Sequence, residues 1–577
     1  MSDLYDVAII GGGPAGSTLG SMIKTHAPHL SVAILERETF PREHIGESLL
    51  PTTGPILNEI GVWDKVEAAN FPIKIGATYR WGSTDDLWDF NLLETAMIKE
   101  DDPRPGKYDG WRMSSTFQVD RATFDKILLD HSKSLGCEVF EGAPVEKILL
   151  EGDYVASFGL ANGDQITAKH YVDASGNAGI MRKALGISVD EPPTLRNIAI
   201  WSHWDDADWA VSIGTSATRI QIMSLGYGWI WFIPISPTRT SIGFVCPADF
   251  YKKSGKRPEE LYMEAVRTQP RIASLIVNAT RVADVQATKD WSFYAERMAG
   301  SNWFLVGEAA GFADPILSAG ITMTMVGARE CAYTIMELER AEIDASWMKE
   351  VFEHRQKQRI FQHIRFANYW YSGNGHFSDL IEYTSEIAKD AGFNVDAKSA
   401  WQWLGTGGFI SLETSGPGLA GHSFEQVKHI ESMLFKQESA WELTKFNVFD
   451  LNVDGVVADK TPFYDGGRIR LGRKLRKGDS ELPIAGGFRT ALEILQRETE
   501  LGPIIQALRG VSATLGPIVA LSAIEALEVM LKEGWITGSY DPTKPLLRLE
   551  DIPRTPNIDW NKDESDPKVR ISPMIVS

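Results

Sequence analysis

Cysteine is scarce in this chain: Cys137, Cys246 and Cys331 are the only three in 577 residues. Their spacing fits neither a disulfide framework nor a Cys/His metal motif, so no metal is expected, and a reducing, cytoplasmic setting is. Basic charge is also short. Against 77 Asp and Glu stand 58 Lys and Arg, a net charge of −19. That balance speaks against nucleic acid or an anionic membrane as a partner of the whole chain, although it permits a local basic patch. Long unbroken apolar runs are missing too. Residues 221–238 carry no charge but contain Gly226, Gly228, Pro234 and Pro237, and the stretch from Val511 to Leu531 contains Pro517, Glu525 and Glu528; neither reads as a membrane helix. The first strand begins almost at residue 1, which leaves no room for a leader peptide. No internal repeat is present. Tryptophan, by contrast, is plentiful at 18 residues, which suggests aromatic-lined surfaces or pockets.

The most informative stretch runs from Asp6 to Gly16. Val7 to Ile10 is a short apolar run suited to a strand buried on both faces. Gly11, Gly13 and Gly16 follow as G-x-G-x-x-G, with Pro14 and Ala15 inside the motif. In this arrangement the first glycine permits the turn, the second lets the backbone approach a pyrophosphate, and the third lets the next helix pack on the strand. That helix points its first N–H groups at the phosphates. A second apolar run, Val32 to Leu35, ends at Glu36, placed to hold the ribose hydroxyls of an adenosine, with Arg37 beside it. These elements predict a dinucleotide site in an α/β fold.

Further along, Phe40 to Pro51 reads as a loop containing Arg42, Glu47 and Ser48. Strand alternation over 73–82 puts Ile73, Ile75, Ala77, Tyr79 and Trp81 on one face and Lys74, Gly76, Thr78 and Arg80 on the other. Gln118 and Arg121 open an amphipathic helix through Leu128, Leu129 and Leu135. Strands at 144–150 and up to Tyr171, with a turn at Asn162-Gly163-Asp164, suggest a β-meander that ends at Asp173 to Gly176. In Gly228-Trp229-Ile230-Trp231-Phe232-Ile233-Pro234, alternation places Trp229, Trp231 and Ile233 on one strand face. Phe304 to Ile321 is a strand, loop and helix passage containing Gly307, Glu308, Asp314, Ser318, Ala319, Gly320 and Ile321.

These motifs together resemble the flavin-dependent halogenases: P-R-x-x-x-G-E-S-L-L-P at 41–51, Lys74 in K-x-G-A-T-x-x-W-G, Q-V-x-R-x-x-F-D from Gln118, and a complete W-x-W-x-I-P from Trp229. In pattern the chain is nearest the chloramphenicol-pathway branch, and the resemblance covers about residues 1–345. It implies a Rossmann-like FAD domain interleaved with an antiparallel sheet, inserted at about 71–117 and 185–290. Residues 346–577 then form a mainly helical region covering the substrate side. It also implies FAD held by Gly11, Gly13, Pro14, Ala15, Gly16, Glu36, Arg37, Arg42, Ser48, Gln118, Arg121, Gly307, Glu308, Asp314, Gly320 and Ile321. Glu308 stands where the family has Asp but can still accept ribityl hydroxyls. Backbone groups at Ser318, Ala319 and Gly320 would be the halide site.

The implied reaction starts from FADH2 supplied by a separate flavin reductase. With O2 it converts chloride or bromide to hypohalous acid. Trp229 and Trp231 wall the flavin from the substrate, and Lys74, with Glu47 in the catalytic set, directs the oxidised halogen onto an electron-rich carbon. Leu317 replaces a catalytic Glu of the free-tryptophan halogenases, which leans toward other aromatics, as small molecules or tethered to a carrier protein. The alternatives are an FAD monooxygenase, a geranylgeranyl-reductase-like oxidoreductase, and a non-catalytic flavoprotein that binds a partner. The C-terminal region is less legible. Residues 360–371 are aromatic-rich and suit a substrate tunnel. Residues 405–408 and 413–418 read as loops, 492–535 as helices broken at Gly502-Pro503 and Gly516-Pro517, and 542–577 as an irregular tail.

Overall fold

A computed structural model describes residues 4–81, 87–91, 116–192, 195–212, 216–372, 418–419, 422–423, 441–478, 480–515 and 517–548. The loop at 405–408, nearly all of 413–418 and the tail beyond 548 lie outside the described residues.

The first sheet is built on β1 (Leu4–Ile10), with β2 (Val32–Leu35) on one side and β8 (Gln165–Asp173) on the other, both parallel to it. β1 and β2 are Val/Ile/Leu-rich and almost wholly buried, as parallel strands covered on both faces must be. β5 (Glu138–Phe140) extends the sheet beyond β2, and β17 (Trp303–Leu305) pairs with β8. β6 (Val145–Glu151) and β7 (Tyr154–Leu160) complete an antiparallel meander with β8. Its turn is closed by Asn162 Nδ2 donating to Asp164 at 2.7 Å.

The second sheet crosses the chain twice. Its order is β14 (Thr280–Arg281), β10 (Arg196–Asp205), β13 (Arg239–Pro247), β12 (Gly228–Pro234), β11 (Ala217–Leu225), β3 (Ile73–Arg80) and β4 (Trp88–Asn91), with β15 (Gln286–Trp291) also on β10. One face buries Ile230, Phe232, Ile242 and Phe244 against the amphipathic helix Pro258–Thr268. The other turns Trp229, Trp231 and Ile233 into the main core shared with the first sheet. A small third sheet joins β9 (Val189–Asp190), β16 (Phe293–Ala295) and β18 (Gly311–Phe312).

The main core does not end at 345. The helix Ala345–Ser372 buries Met348, Phe352, Ile360, Ile364, Ala367 and Tyr371 in it, because one side of that helix lies on the helix Gly320–Arg340. A separate core unites the helices Gly486–Leu495, Leu501–Leu515 and Pro517–Lys532 with Phe449, Leu482 and Trp535. These helices share the C-terminal region with an antiparallel sheet over 457–483, which the helical pattern of 492–535 does not disclose. Pro503 falls in the first turn of its helix, where a missing N–H costs nothing, so the interruption lies before Leu501 rather than at Gly502-Pro503.

Candidate active site

The nucleotide end follows from local geometry. A Cβ on Gly16 would lie 1.9 Å from the Gly11 carbonyl oxygen, and Gly11 itself has φ +102° with the Ala174 carbonyl 2.3 Å from where its Cβ would be. Neither position admits a side chain. Pro14 starts the helix α1 (Pro14–His26), leaving its first N–H groups without helical acceptors. Glu36 is buried, and its carboxylate accepts from Gly12 N at 2.7 Å and Glu38 N at 2.9 Å. Each oxygen keeps a free lone pair in place for a ribose hydroxyl. Arg42 reaches over the turn, with Nη2 3.2 Å from where a Gly13 Cβ would be. Its Nη1 is buried without a hydrogen bond, 3.5 Å from Asp125. Arg37 is 65% exposed and pairs with Glu38; it is not brought into this cluster.

Arg121 serves the site indirectly. It holds Asp125 with two hydrogen bonds of 2.7 and 2.9 Å and donates to the carbonyls of Ile45 and Gly46. The guanidinium thereby clamps the 42–46 loop, and Arg42 is the cation nearest the turn. Gly307, with φ +61°, faces Ala15: a Cβ there would lie 3.3 Å from the Ala15 Cβ. The passage around Glu308 is thus set against the glycine turn. Glu308 Oε2 lies 4.0 Å from the Cβ position of Gly176, and burial raises its carboxyl while Arg121 pulls it back. A narrow cleft runs past Gly307, Glu308, Gly320 and Thr324 to Arg359.

These residues fit FAD. Glu36 suits an adenosine ribose, the turn with Arg42 a pyrophosphate, and Glu308 a ribityl chain. The orphaned polar atoms of the next segment point the same way. Ser48 Oγ and Gln118 Oε1 are buried without hydrogen-bond partners among the described residues. Buried polar atoms are rarely left so unless something else meets them. Ser48 and Gln118 are bridged strand-fashion. Asp314 is turned inward, capping Ile316 N at 2.9 Å, and burial raises its carboxyl to about 7. Ser318 has φ +58° and delivers the chain into Ala319, Gly320 and the buried Ile321 at the start of the helix Gly320–Arg340.

Lys74 is where strand alternation misleads. All of β3 except Arg80 is buried, so no face of it is solvated. Opposite β11 the register slips: Thr218 pairs with Lys74, but Arg219 pairs with Gly76, leaving Ile75 as an extra residue. On the unbulged β11, Thr218, Ile220 and Ile222 alternate onto one face, and Ile222 pairs with Trp231. The bulge therefore turns Lys74 onto the tryptophan face, away from the side of Thr78 and Arg80. Lys74 Nζ donates to Leu49 O at 3.1 Å, and burial lowers the ammonium to about 7.

The indoles are fixed from two sides. Trp231 Nε1 donates to Ser241 Oγ at 3.1 Å, and its ring lies over Gly243, whose Cβ would fall 2.0 Å from it. Trp229 Nε1 donates to Tyr371 Oη at 2.9 Å, and Tyr371 Oη lies 3.1 Å from Asp314 Oδ1. The two ring centroids are 5.9 Å apart. Glu47 Oε1 meets His203 Nε2 at 2.7 Å. Burial lowers His203, but its hydrogen bond to Glu47 and the charges of Glu47 and Glu43 raise it above the ordinary value. Sequence reasoning missed His203, Ser241 and Gly243, and it placed Tyr371 only at the end of an aromatic-rich stretch, without its bond to Trp229. For His203 a signal existed, since alternation along β10 sets it with Ala199 and Trp201.

An FAD binding domain family model matches residues 4–367. A 1H-pyrrole-2-carbonyl peptidyl-carrier-protein chlorinase of Pseudomonas fluorescens is 34% identical over 406 residues, covering 66% of this chain and 87% of that protein. A tryptophan 2-halogenase of Chondromyces crocatus is 30% identical over 355 residues, 60% of this chain and 64% of that one. Among solved structures, the flavin-dependent halogenase CmlS superposes over 95% of this chain and 98% of its own, with a TM-score of 0.71 at 23% identity, a likeness of fold. The myxobacterial chondrochloren halogenase CndH gives 0.59 at 26% identity, over 75% of this chain and 97% of its own. The chain belongs to the FAD binding domain family and, within it, to the flavin-dependent halogenases. It is an FAD-dependent enzyme of the oxidoreductase type. Among the described residues no helix is long and apolar enough to cross a membrane.

Proposed function

We propose that this enzyme oxidises chloride or bromide to hypohalous acid and passes it along the tryptophan face to Lys74, which directs it onto an electron-rich carbon of an aromatic or activated substrate. Bound FADH2, delivered by a separate flavin reductase, would supply with O2 the oxidising chemistry. Glu36, the Gly11–Gly16 turn, Arg42 and Glu308 would hold the cofactor. Gln118, Ser48, Asp314, Gly320 and Ile321 would surround its reactive end, and the N–H groups at Ala319 and Gly320 would take the halide; the expected third donor, Ser318 N–H, is spent on Pro315 O at 2.9 Å in closing the turn. Trp229 and Trp231 keep an organic substrate from the flavin, so that only a small anion meets the activated oxygen.

The observation that carries this reading is the placement of Lys74. A buried amine whose ammonium is held near pH 7 shares one sheet face with two indoles. As an ammonium it hydrogen-bonds hypohalous acid; as a free amine it takes up halogen as a haloamine. Carrier tethering of the substrate is supported by two relatives named for pyrrole-2-carbonyl on a peptidyl carrier protein. They are the Pseudomonas fluorescens chlorinase and a Pseudoalteromonas luteoviolacea brominase, 32% identical over 327 residues.

The test is a single-turnover reaction of FADH2, O2 and halide in which flavin absorbance and product are followed together. Lys74→Ala should leave FAD binding, flavin reoxidation and hypohalite release near wild type and abolish halogenated product. Product at the wild-type rate would make Lys74 a packing residue, and blocked reoxidation would place it in the flavin pocket; either result defeats the relay.

A further inference from the structure

Replacing a C–H by a carbon–halogen bond releases a proton, and the side chains around Lys74 are buried, so a base near the carbon must take that proton up. We propose that Glu47, oriented by His203, takes up that proton. The inference rests on the halogenase reading above and adds a residue pair to it.

Glu47 is 2% exposed. An ionised carboxylate only accepts hydrogen bonds, so at the 2.7 Å contact His203 Nε2 carries the proton and Glu47 Oε1 receives it. That bond fixes the carboxylate and leaves Oε2, buried and without a partner among the described residues, as the free acceptor. His203 lies on the tryptophan face. It pairs with Ser241, and Ser241 pairs with Ile233, the residue that follows Trp231 on that face.

Lys74 reaches the same loop two residues on, through Leu49 O. Two residues of extended backbone span about 7 Å, so the amine and the carboxylate are hung from neighbouring points of one segment. Glu47 N–H and C=O lie in that segment too, with Glu47 O accepting from Val119 N at 2.7 Å.

Among the described residues, the other carboxylates near the site are engaged by other groups or lie at the cofactor end. Asp314 is engaged by Ile316 N, Tyr371 Oη and Asn197 Nδ2. Asp173 receives Ser175, Met181 and Arg182. Glu308 lies by Gly176 and Arg121, at the cofactor end.

The step balances. The substrate carbon's electron pair forms the bond to halogen as the halogen–oxygen bond of hypohalous acid breaks. The oxygen leaves as water, taking a proton from the Lys74 ammonium. The C–H electron pair returns to the ring, its proton passes to Glu47 Oε2, and transfer from there restores Lys74. Glu47 is the catalytic residue of the pair and His203 its positioning residue.

The test compares wild type with Glu47→Gln and His203→Gln in the FAD-loaded full chain. The probe is pyrrole-2-carbonyl on a peptidyl carrier protein, with ring hydrogen or ring deuterium, and monochlorodimedone traps released hypohalite. The expected result is trapped hypohalite at the wild-type rate in both variants. Product from Glu47→Gln should fall by about 10²–10⁴-fold, the usual contribution of a general base, with a smaller fall for His203→Gln. In both, a primary deuterium isotope effect larger than that of wild type should appear, because C–H loss has become slow; a merely structural role would not produce it. Added formate should restore part of the activity of a Glu47→Ala enzyme. Product at the wild-type rate, or a slow reaction without the larger isotope effect, overturns the proton role. So does hypohalite that falls in step with product, which would put Glu47 on the flavin side. Should Glu47→Gln fail to bind FAD, His203→Gln with the same isotope measurement decides. A wild-type enzyme that yields neither trapped hypohalite nor product overturns the halogenase reading itself.

Discussion

Replacing Lys74 by Met should make the protein more stable, by an amount that depends on pH. The side chain is 3% exposed, and burial alone moves its ammonium from 10.5 to about 7. A buried charge is disfavoured relative to water, and the shift measures by how much. At about 1.4 kcal/mol per pH unit, the interval between about 7 and 10.5 corresponds to about 5 kcal/mol. The sign follows from proton binding. Between these values the unfolded chain holds a proton on Lys74 and the folded chain does not, so wild-type stability rises with pH across the window. Below pH 7 both states are protonated and the full cost of the buried ammonium is present. The advantage of Lys74→Met should therefore be greatest at pH 6.5 and shrink by about 2–3 kcal/mol by pH 9. Urea unfolding of both proteins, cofactor-free, at pH 6.5, 7.5 and 9 measures it; equal shifts in midpoint at all three pH values would refute the burial argument. The same substitution should abolish halogenated product, so stability and activity separate at one residue, as expected where function keeps a costly group in place.

Gly13→Val places a branched side chain against Arg42 and the phosphate approach, and FAD affinity should fall by about tenfold or more; a protein that purifies yellow with normal affinity would displace the nucleotide site. Trp229→Ala with Trp231→Ala should lose about 3–5 kcal/mol per residue and open the flavin to organic substrates, so hydroxylated product should appear by mass spectrometry; unchanged chlorination rate and regiochemistry would remove the barrier role. Gly243→Ala puts a methyl 2.0 Å from the Trp231 ring and should cost about 1–3 kcal/mol by overpacking, read as a lowered melting temperature with altered tryptophan fluorescence. Deleting Ile75 removes the extra residue of the bulge and should turn Lys74 to the other face, losing product while FAD binding remains; retained product would show that the bulge does not aim the lysine.

What the sequence alone determined is what depends on neighbours along the chain. The turn at Gly11–Gly16 is a matter of local sterics, and the shared face of Trp229 and Trp231 follows from a period of two within one unbroken strand. Lys74 shows the limit of that period. The K-x-G-A-T-x-x-W-G context singled it out as a candidate, but its side was not legible, because one unpaired residue in β3 inverts every face assignment before it, and the slip exists only against β11. Arg121 was expected among the residues that hold FAD, while its bonds to Asp125 and to the Ile45 and Gly46 carbonyls needed the helix and loop to meet. Tertiary structure alone joined Glu47 to His203 across 156 positions and Trp229 to Tyr371 across 142. Hydrogen bonds between distant segments leave no periodic trace in either segment, and only folding, which brings their strands and helices into register, decides which buried polar atoms are met and which, like Glu47 Oε2, are left for something else to meet.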